Sequence, residues 1–443
     1  MTPSPAATRG AVASRALAGW QVRVFVATWL GYAGFYLTRK SLSVAKVELK
    51  KPEVWGLSNE TLATVDGGYL VAYALGQFLW GVLGDRLGTR RVVLAGMAGS
   101  VAVAVAMGTA ASVAGFGLLF ALQGVFQSSG WAPLTKNMGE FFPRRVRGRV
   151  MGFWCTNFAL GGMIAGIVAG VAAKQGGWRM AFLVPAGMLA VIWLVFAALQ
   201  ADRPEDVGLP SPESASGDDE AVIVAGEQVA DEPEGAWRTI LDVVTSPTVL
   251  VISFVYLLVK PLRYLLMFWA PVYLNERLGT DVAESGMLGS LFDLAGPVGI
   301  IAGGWASDRL FGTRRFPVMA ITLVAAGLAL AALPWMPPTR GAVGAALFVI
   351  GLLVYIPDSL ASGAAAIDFG TRRGAATAAG MINGCGSLGG VVGGTLPGLV
   401  AATTADGRTP WNVLFLALAA GLVIAGAAVA PLWNRLPPRT SRS

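Results

Sequence analysis

Long apolar stretches separated by short polar ones run through almost the whole chain. About 20 apolar residues in a helix cross a hydrocarbon core roughly 30 Å thick. Such stretches predict twelve membrane-spanning helices, spans 1 to 12, at 22–46, 61–83, 91–111, 115–138, 149–172, 179–200, 248–274, 285–306, 316–336, 342–366, 374–400 and 411–433. The segment before Trp20 lacks the apolar middle of a removable signal peptide, so we expect span 1 to be retained.

Composition agrees with a multi-pass membrane protein. The 443 residues are 55% hydrophobic and only 13% charged, with a mean hydropathy of +0.62, which is outside the range of soluble globular chains. The two cysteines, Cys155 and Cys385, fall inside predicted spans. We interpret them as small buried apolar residues rather than as a disulfide or a metal site.

Basic residues are distributed unequally between the two sides of the predicted helices. One side has 17 Lys and Arg, and the other has eight: Lys46, Lys50, Lys51, Lys174, Arg179, Arg277, Arg340 and Arg408. Short cytoplasmic loops are enriched in Lys and Arg, so the pattern predicts cytoplasmic termini and a bacterial inner-membrane protein. The net charge of +7 then reflects orientation and gives no reason to expect nucleic-acid binding.

The chain contains an internal repeat. GVLGDRLGTRR at 81–91 follows span 2, and GGWASDRLFGTRR at 303–315 follows span 8. Asp85 and Asp308 are 223 residues apart, and Arg39 and Arg263 are 224 apart. Offsets that agree to within one residue indicate two pseudo-symmetric six-helix domains, which we assign to 20–201 and 247–434, with tails at 1–19 and 435–443.

An acidic segment joins the two predicted domains. Residues 202–238 contain eleven Asp and Glu against two Arg, among Pro, Ser and Gly. This composition is typical of loosely ordered chain, so we predict a cytoplasmic linker over 202–246. A solvated spacer is the favoured interpretation, and a regulatory or partner-binding role is the alternative.

Charged residues occur inside the predicted spans. Arg39 and Lys40 lie in span 1, and Lys260 and Arg263 lie in span 7, where each charge costs about 2.5–3.5 kcal/mol on insertion scales. Snorkelling to the membrane surface is one explanation. Because Arg39 and Arg263 occupy equivalent places in the repeats, a ligand site between the halves is the stronger explanation.

Acidic residues in spans 2 and 10 add a second question. Asp66 and Asp358 are either proton carriers or partners for Lys40 or Lys260, and the sequence favours neither interpretation. Glycines repeat every four residues in spans 5 and 11, at Gly162, Gly166 and Gly170 and at Gly386, Gly390 and Gly394. This spacing predicts close helix packing.

Several motifs resemble a known family. The GDRLGTRR loop and its copy resemble the signature of the major facilitator superfamily. GYAGFYLTRK in span 1, FQSSGWAPLTKNMGEFFPRRVRGRVMGFW across spans 4 and 5, DRPEDVGLP after span 6 and VKPLRYLLMFWAPVYLNERLG in span 7 resemble the organophosphate:phosphate antiporters over roughly 20–400. That family contains importers of glycerol phosphate and hexose phosphates, which exchange them for inorganic phosphate, and a hexose-phosphate sensor.

The resemblance implies an all-α integral membrane protein with the major facilitator fold, and it implies site residues. Arg39 and Arg263 match the family's two phosphate-binding arginines, whose guanidinium groups pair bidentately with phosphate. Tyr32, Tyr36 and Tyr73 match hydroxyls that line the family's cavity. Asp293 matches an acidic position in span 8, where it would balance the charge of Lys260 or Arg263.

The chain also departs from the family. Gln77 stands where transporting members have a lysine, Phe158 stands where they have a histidine, and the chain contains no histidine. We expect Lys260 to replace the missing cation. Residues of the two repeated loops are expected to form cytoplasmic latches across the gap between the halves: Asp85, Arg86, Arg90, Asp308, Arg309 and Arg314.

These observations predict a secondary active transporter that works by alternating access without a cofactor. Its partners would be the lipid bilayer, a phosphorylated organic anion such as a sugar phosphate or glycerol phosphate, and inorganic phosphate. We expect a monomer. The alternatives are a sugar-phosphate sensor with a histidine kinase as its partner, and a proton-coupled carrier of another small solute. An enzyme is disfavoured, because the sequence has no paired nucleophile and base, metal-ligand cluster or P-loop.

Overall fold

The computed structural model describes residues 5–212, 245–312, 314–364 and 375–435. Helices are numbered by span, and letters mark the two pieces of an interrupted span. The first half contains α1a (Pro5–Arg39), α1b (Ser41–Leu49), α2 (Asn59–Leu87), α3 (Thr89–Gly108), α4a (Val113–Gln127), α4b (Trp131–Phe141), α5a (Arg144–Trp154), α5b (Thr156–Gly176) and α6 (Met180–Leu199). The second half contains α7 (Pro247–Leu278), α8 (Val282–Arg309), α9 (Arg315–Ala332), α10 (Arg340–Ser359), α11 (Ala375–Ala401) and α12 (Trp411–Val429).

The twelve predicted spans are confirmed. Ten helical stretches have the length and hydropathy required to cross a membrane, and the more polar α1a–α1b and α2 complete the set. An even number of crossings brings the start of α1a and the end of α12 to one end of the bundle. We call this the near end, and we call the opposite end the far end.

Each half packs as its own bundle. In the first half α2 packs on α4a and α3 packs on α6, and in the second half α7 packs on α11 and α9 packs on α12. The halves are joined mainly by α5b with α8 and by α2 with α11, and α1b adds contacts with α7 and α8. The glycine repeat of span 5 faces α8, whereas that of span 11 faces α7 at Gly386 and Gly390 and α2 at Gly394, so the sequence correctly predicted close packing in both spans.

The halves touch at the far end. A Cβ added at Gly286 in α8 would lie 2.5 Å from the Gly166 carbonyl oxygen in α5b, and one at Gly398 in α11 would lie 2.2 Å from the Ala63 Cβ in α2. At the near end of α5a and of α11, a Cβ added at Gly152 or Gly384 would meet nothing within 4 Å. The close glycine contacts between α5b and α8 run from Gly170 and Ala283 to Ala159 and Gly296 in the middle of the bundle, so the described halves are closed at the far end and open at the near end.

Parts of the predicted organisation fall outside the described residues. These are the central 213–244 of the predicted linker, the last eight residues, and 365–374 between α10 and α11. The domain boundaries and the role of the acidic linker stay predictions. Cys155 and Cys385 are both free and half-buried, and no disulfide joins them.

Candidate functional site

Helix interruptions mark the middle of the bundle. The first span breaks at Lys40 between α1a and α1b, the fourth breaks after Gln127, and the fifth breaks at Cys155. In the tenth span a π-helical turn, Leu360–Ala364, follows α10. Binding sites of membrane carriers are typically built from such discontinuous helices near the bilayer midplane, and the interior charged residues cluster around these breaks.

Arg39 is buried without a carboxylate partner. Its Nε donates to Oε1 of Gln127 at 3.0 Å, and its guanidinium carbon lies 4.6 Å from the ring centre of Tyr36 and 4.8 Å from that of Tyr73. Its Nη2 is buried and has no hydrogen-bond partner, and no described carboxylate forms an ion pair with it. An uncompensated buried charge is strongly destabilising, so this guanidinium is a candidate binding group for an anion.

Arg263 is compensated by an acid. Its Nη1 donates to Oδ2 of Asp358 at 2.5 Å, and Nζ of Lys260 lies 3.0 Å from Oδ1 of the same carboxylate. The guanidinium also lies over the rings of Phe158 and Tyr355, at 4.7 Å and 4.9 Å. One carboxylate therefore lies between the two cations of α7, which corresponds to one of the two interpretations that the sequence left open for Asp358.

Asp293 has a different partner from the one expected. It pairs with Lys40 across the two halves and accepts a hydrogen bond from the Tyr355 hydroxyl at 2.9 Å. The predicted partners, Lys260 and Arg263, are occupied by Asp358. The break in span 1 directs Lys40 toward α8 while Arg39 stays against α4a, so both basic side chains point inward and neither snorkels.

Lys46 was assigned to a loop, but the structure buries it. It forms an ion pair with Asp66 in which both side chains are fully buried, so Asp66 pairs with Lys46 and not with the expected Lys40. Nζ of Lys46 also donates to the Phe268 carbonyl oxygen of α7 at 3.1 Å and lies 4.0 Å from the Trp269 ring centre. The apolar residues around Lys46 in SLSVAKVEL were the signal for its burial.

The remaining predicted cavity residues differ in their surroundings. Tyr36 and Tyr73 contact Arg39, whereas Tyr32 packs on Trp131 with 5.2 Å between ring centres. Gln77 is half-buried on α2, one turn from Tyr73 toward the near end, and its role stays a prediction.

Gln127 and Tyr69 were missed from the sequence. The Tyr69 hydroxyl donates to Gln127 Oε1 at 2.8 Å, and Gln127 Nε2 donates to the Thr38 hydroxyl at 2.9 Å. These contacts fix the amide that orients Arg39. A glutamine within the apolar run of span 4 was the available signal.

Of the predicted latch residues, Asp308 and Arg90 make contacts within their own halves here. Arg315 donates to Asp308 Oδ1 at 2.7 Å, and the Arg90 side chain donates to the Ala197 and Gln200 carbonyl oxygens at the end of α6. Arg86 and Arg309 are exposed, Arg314 is half-buried, and the side chain of Asp85 is not among those described. A latch across the gap stays a prediction for a conformation that is closed at the near end.

The charges of the site favour an anion. Among the residues whose side chains are described, five basic ones (Arg39, Lys40, Lys46, Lys260 and Arg263) and three acidic ones (Asp66, Asp293 and Asp358) lie in the interior, which gives these residues a net charge of +2. Among the described residues, no group of three His, Cys, Asp or Glu could hold a metal ion. The arrangement can bind and enclose an anion, with an arginine from each half.

The chain is similar to known membrane proteins in sequence and in fold. The chain is 28% identical to the membrane sensor protein UhpC of Escherichia coli K12, over 95% of this chain and 94% of that protein. It is 30% identical to the glycerol-3-phosphate transporter of Bacillus subtilis 168, over 94% and 92%. A solved bacterial homologue of the human lysosomal transporter Spinster, inward-facing and unoccupied, aligns with a TM-score of 0.70 and 15% identity over 93% of this chain and 95% of that chain.

These likenesses agree with the resemblance found in the sequence, and they place the chain among transporters rather than enzymes. At 15% identity the solved homologue supports the fold alone, whereas the two relatives match this chain over nearly its whole length. The sequence profile of the Major Facilitator Superfamily matches residues 28–394, and this chain belongs to that superfamily.

Proposed function

We propose that the protein transports a phosphorylated organic anion, of the sugar phosphate or glycerol phosphate class, in exchange for inorganic phosphate. The buried and uncompensated guanidinium of Arg39 is the observation that most supports this function. A phosphate group carries a charge of about −1.5 to −2 at neutral pH, which matches the +2 of the interior. The relative named as a glycerol-3-phosphate transporter supports the same substrate class.

Alternating access follows from the placement of the two arginines. Arg39 belongs to the first half and Arg263 to the second, so a phosphate group held by both draws the halves together. The near end, which is open here, is proposed to be the cytoplasmic side of a bacterial inner membrane because it carries the excess of Lys and Arg. Both termini are then cytoplasmic, and we propose that the carrier works as a monomer.

A sensor is the second candidate, because one relative is named a membrane sensor protein. A sensor would bind the phosphate group with the same arginines but would exchange nothing, and a histidine kinase would be its partner. A proton-coupled carrier is less well supported, because Asp66 and Asp358 are held in ion pairs with basic residues.

The test replaces each arginine by lysine, which keeps the charge but loses the two-pronged contact. Purified Arg39→Lys and Arg263→Lys would be reconstituted in liposomes loaded with phosphate, and exchange would be measured against external phosphate and glycerol phosphate. We expect binding to weaken by about 1.5–3 kcal/mol per lost charged hydrogen bond, tenfold or more. The exposed Arg408 provides a matched control as Arg408→Lys.

Each outcome separates the candidate functions. Exchange at the parent rate in both arginine variants would contradict the proposed function. A parent protein that binds phosphate but exchanges none would indicate a sensor. Exchange that requires a proton gradient and no internal phosphate would indicate the proton-coupled carrier.

A further inference from the structure

The two arginines of the site are not equivalent, although the repeat places them symmetrically. Arg39 has no anionic partner among the described residues, whereas Arg263 has Asp358. We propose that Asp358 is an internal competitor for the substrate's phosphate group, which occupies Arg263 in the empty protein and is displaced from it when substrate binds. This inference rests on the proposed function and adds a residue that sets affinity and release.

The geometry of Asp358 resembles that of a bound oxyanion. Its two oxygens lie 2.5 Å from Nη1 of Arg263, which donates a hydrogen bond, and 3.0 Å from Nζ of Lys260, which forms an ion pair, so one oxyanion is shared between two cations. The residue is only 2% exposed, so water does not weaken these contacts. A phosphate group that pairs with Arg263 through Nη1 must therefore replace the carboxylate.

Lys260 is a cation with which the displaced carboxylate can remain paired. Lys260 and Arg263 are three residues apart on α7 and thus on one face of the helix. Asp358 already contacts both basic residues, so it can stay paired with Lys260 while the phosphate group pairs with Arg263. Without Lys260, displacement would leave Asp358 as a buried carboxylate with no cation, at a large energetic cost.

The helix that carries Asp358 is irregular at this point. Pro357 lies inside α10, and a proline at this position removes the hydrogen bond to the carbonyl four residues before it. The π-helical turn Leu360–Ala364 begins two residues after Asp358, and the Ser362 hydroxyl donates to the Asp358 carbonyl oxygen at 2.8 Å. Such π-turns occur frequently at functional sites, and here they place Asp358 where α10 is not held by a complete set of helical hydrogen bonds.

The proposal predicts opposite effects for the two partners of Arg263. Asp358→Asn removes the competing charge, so inorganic phosphate should bind about tenfold tighter, the factor expected when one charged hydrogen bond no longer has to be exchanged. Exchange should slow, because release no longer has a carboxylate to replace the phosphate. Lys260→Gln leaves Asp358 on Arg263 alone, so phosphate should bind more weakly than to the parent.

The measurement is calorimetric titration of the purified full-length protein with inorganic phosphate, after each variant is confirmed to be monodisperse. Asp66→Asn is the control for a general charge effect, because Asp66 pairs with Lys46 and contacts neither arginine. The double variant Lys260→Gln with Asp358→Asn keeps the parent's net charge, and it should bind phosphate more tightly than Lys260→Gln alone. This comparison remains valid if Asp358→Asn alone does not fold.

A role for Asp358 that is only structural predicts the reverse. If the carboxylate merely holds Arg263 in place, Asp358→Asn binds phosphate more weakly, and that result would overturn the inference while leaving the proposed function intact. An equal gain in Asp66→Asn would also overturn it, because the effect would then be general electrostatics. A parent protein that binds neither phosphate nor glycerol phosphate would instead overturn the proposed function, and this inference with it.

Discussion

The two ends of the bundle are built from the same helices but hold the halves together in different ways. At the far end α5b meets α8 and α2 meets α11 through glycines, with backbone against backbone. At the near end glycines of α5a and α11 face open space. These glycine contacts interlock few side chains, so a small rotation of one half can open the far end once its charged contacts break, as expected for a rocking carrier.

Charged contacts at the far end form two layers. The inner layer is the dry Lys46–Asp66 pair, which also reaches the Phe268 carbonyl of the other half. The outer layer contains Lys50–Glu276 and Lys174–Asp281, which are solvent-accessible pairs between the halves. Breaking a buried pair costs about 3–5 kcal/mol, whereas exposed pairs contribute about 0–1 kcal/mol. Both members of the buried pair belong to the first half, so within the inner layer only the hydrogen bond from Lys46 to the Phe268 carbonyl has to break, together with the two exposed pairs, when the far end opens.

The largest effect is expected from a side chain placed in the backbone contact. Gly286→Val puts a Cβ 2.5 Å from the Gly166 carbonyl oxygen, and backbone cannot move aside there, so the far end should not close. We expect phosphate exchange to be lost. Closure can be followed with a disulfide between Lys174→Cys and Asp281→Cys, two positions that meet across the halves at the far end, in a protein whose Cys155 and Cys385 are replaced by alanine. This disulfide should no longer form when Gly286→Val is added.

Gly304→Val is the matched control for this prediction. It lies on the same helix, α8, nearer the open end, and a Cβ there meets nothing within 4 Å. Exchange and disulfide formation should match those of the parent. If Gly286→Val exchanged phosphate as well as Gly304→Val, the glycine contact would not be required for the transport cycle.

The second effect concerns the inner layer. Lys46→Met leaves Asp66 buried without a cation and removes the contact with the Phe268 carbonyl, so we expect a loss of about 3–5 kcal/mol in stability and a lower unfolding temperature. Adding Asp66→Asn should restore most of the stability, because no unpaired charge remains. Thermal unfolding in detergent measures both. A double variant no more stable than Lys46→Met would show that the ion pair is not the source of the loss.

The charged residues of the interior show what the sequence could and could not predict. Spans, halves and the two arginines follow from composition, repeat spacing and the cost of charge in hydrocarbon, which depend on residue type and position alone. The partner of each charge does not follow from these. Arg39 and Arg263 are equivalent in the repeat, yet only Arg263 has an acid, because Asp358 in α10 has no counterpart among the described residues of the first half that contacts Arg39.

The two misassigned contacts have a geometric cause. Lys46 was assigned to a loop because it lies at the end of the apolar run, but the break at Lys40 starts a new helix, α1b, which carries Lys46 into the interior. The same break directs Lys40 to Asp293. Hydropathy reports how apolar a segment is and contains no information about where its helix bends.

A smaller effect is expected at the rim of the far end. Lys50 pairs with Glu276, each side chain being 25% exposed, and Glu276 also accepts a hydrogen bond from Trp411 Nε1 at 2.6 Å. Glu276→Gln keeps an acceptor for Trp411 but loses the ion pair, so stability should fall by about 0.2–1 kcal/mol. The difference from the parent should shrink at high salt. A difference that does not change with salt would indicate that the tryptophan contact is the important one.

The smallest effect concerns Asp281, the residue that precedes α8. The backbone N–H of Glu284 donates to Asp281 Oδ1 at 2.9 Å, and Lys174 of the other half donates to its Oδ2 at 2.7 Å. These contacts lower the pKa of Asp281 below its ordinary value, with the Glu284 hydrogen bond as the larger cause. A carboxyl whose pKa is lower in the folded protein contributes stability above its unfolded pKa of about 3.9 and loses it as the pH falls through the lowered value.

Two substitutions at Asp281 separate the cap from the charge. Asp281→Asn still caps the helix and loses only the exposed ion pair, so at neutral pH it should cost at most about 1 kcal/mol, whereas Asp281→Ala also loses the cap, which is worth about 1 kcal/mol. Unfolding temperatures measured from pH 7 downward should differ between parent and Asp281→Asn until the pH falls through the lowered pKa of Asp281, and should converge below it, because the parent carboxyl is then protonated and no longer attracts Lys174. A gap between the two that stays constant over this pH range would mean that the carboxylate charge contributes nothing to holding the far end together.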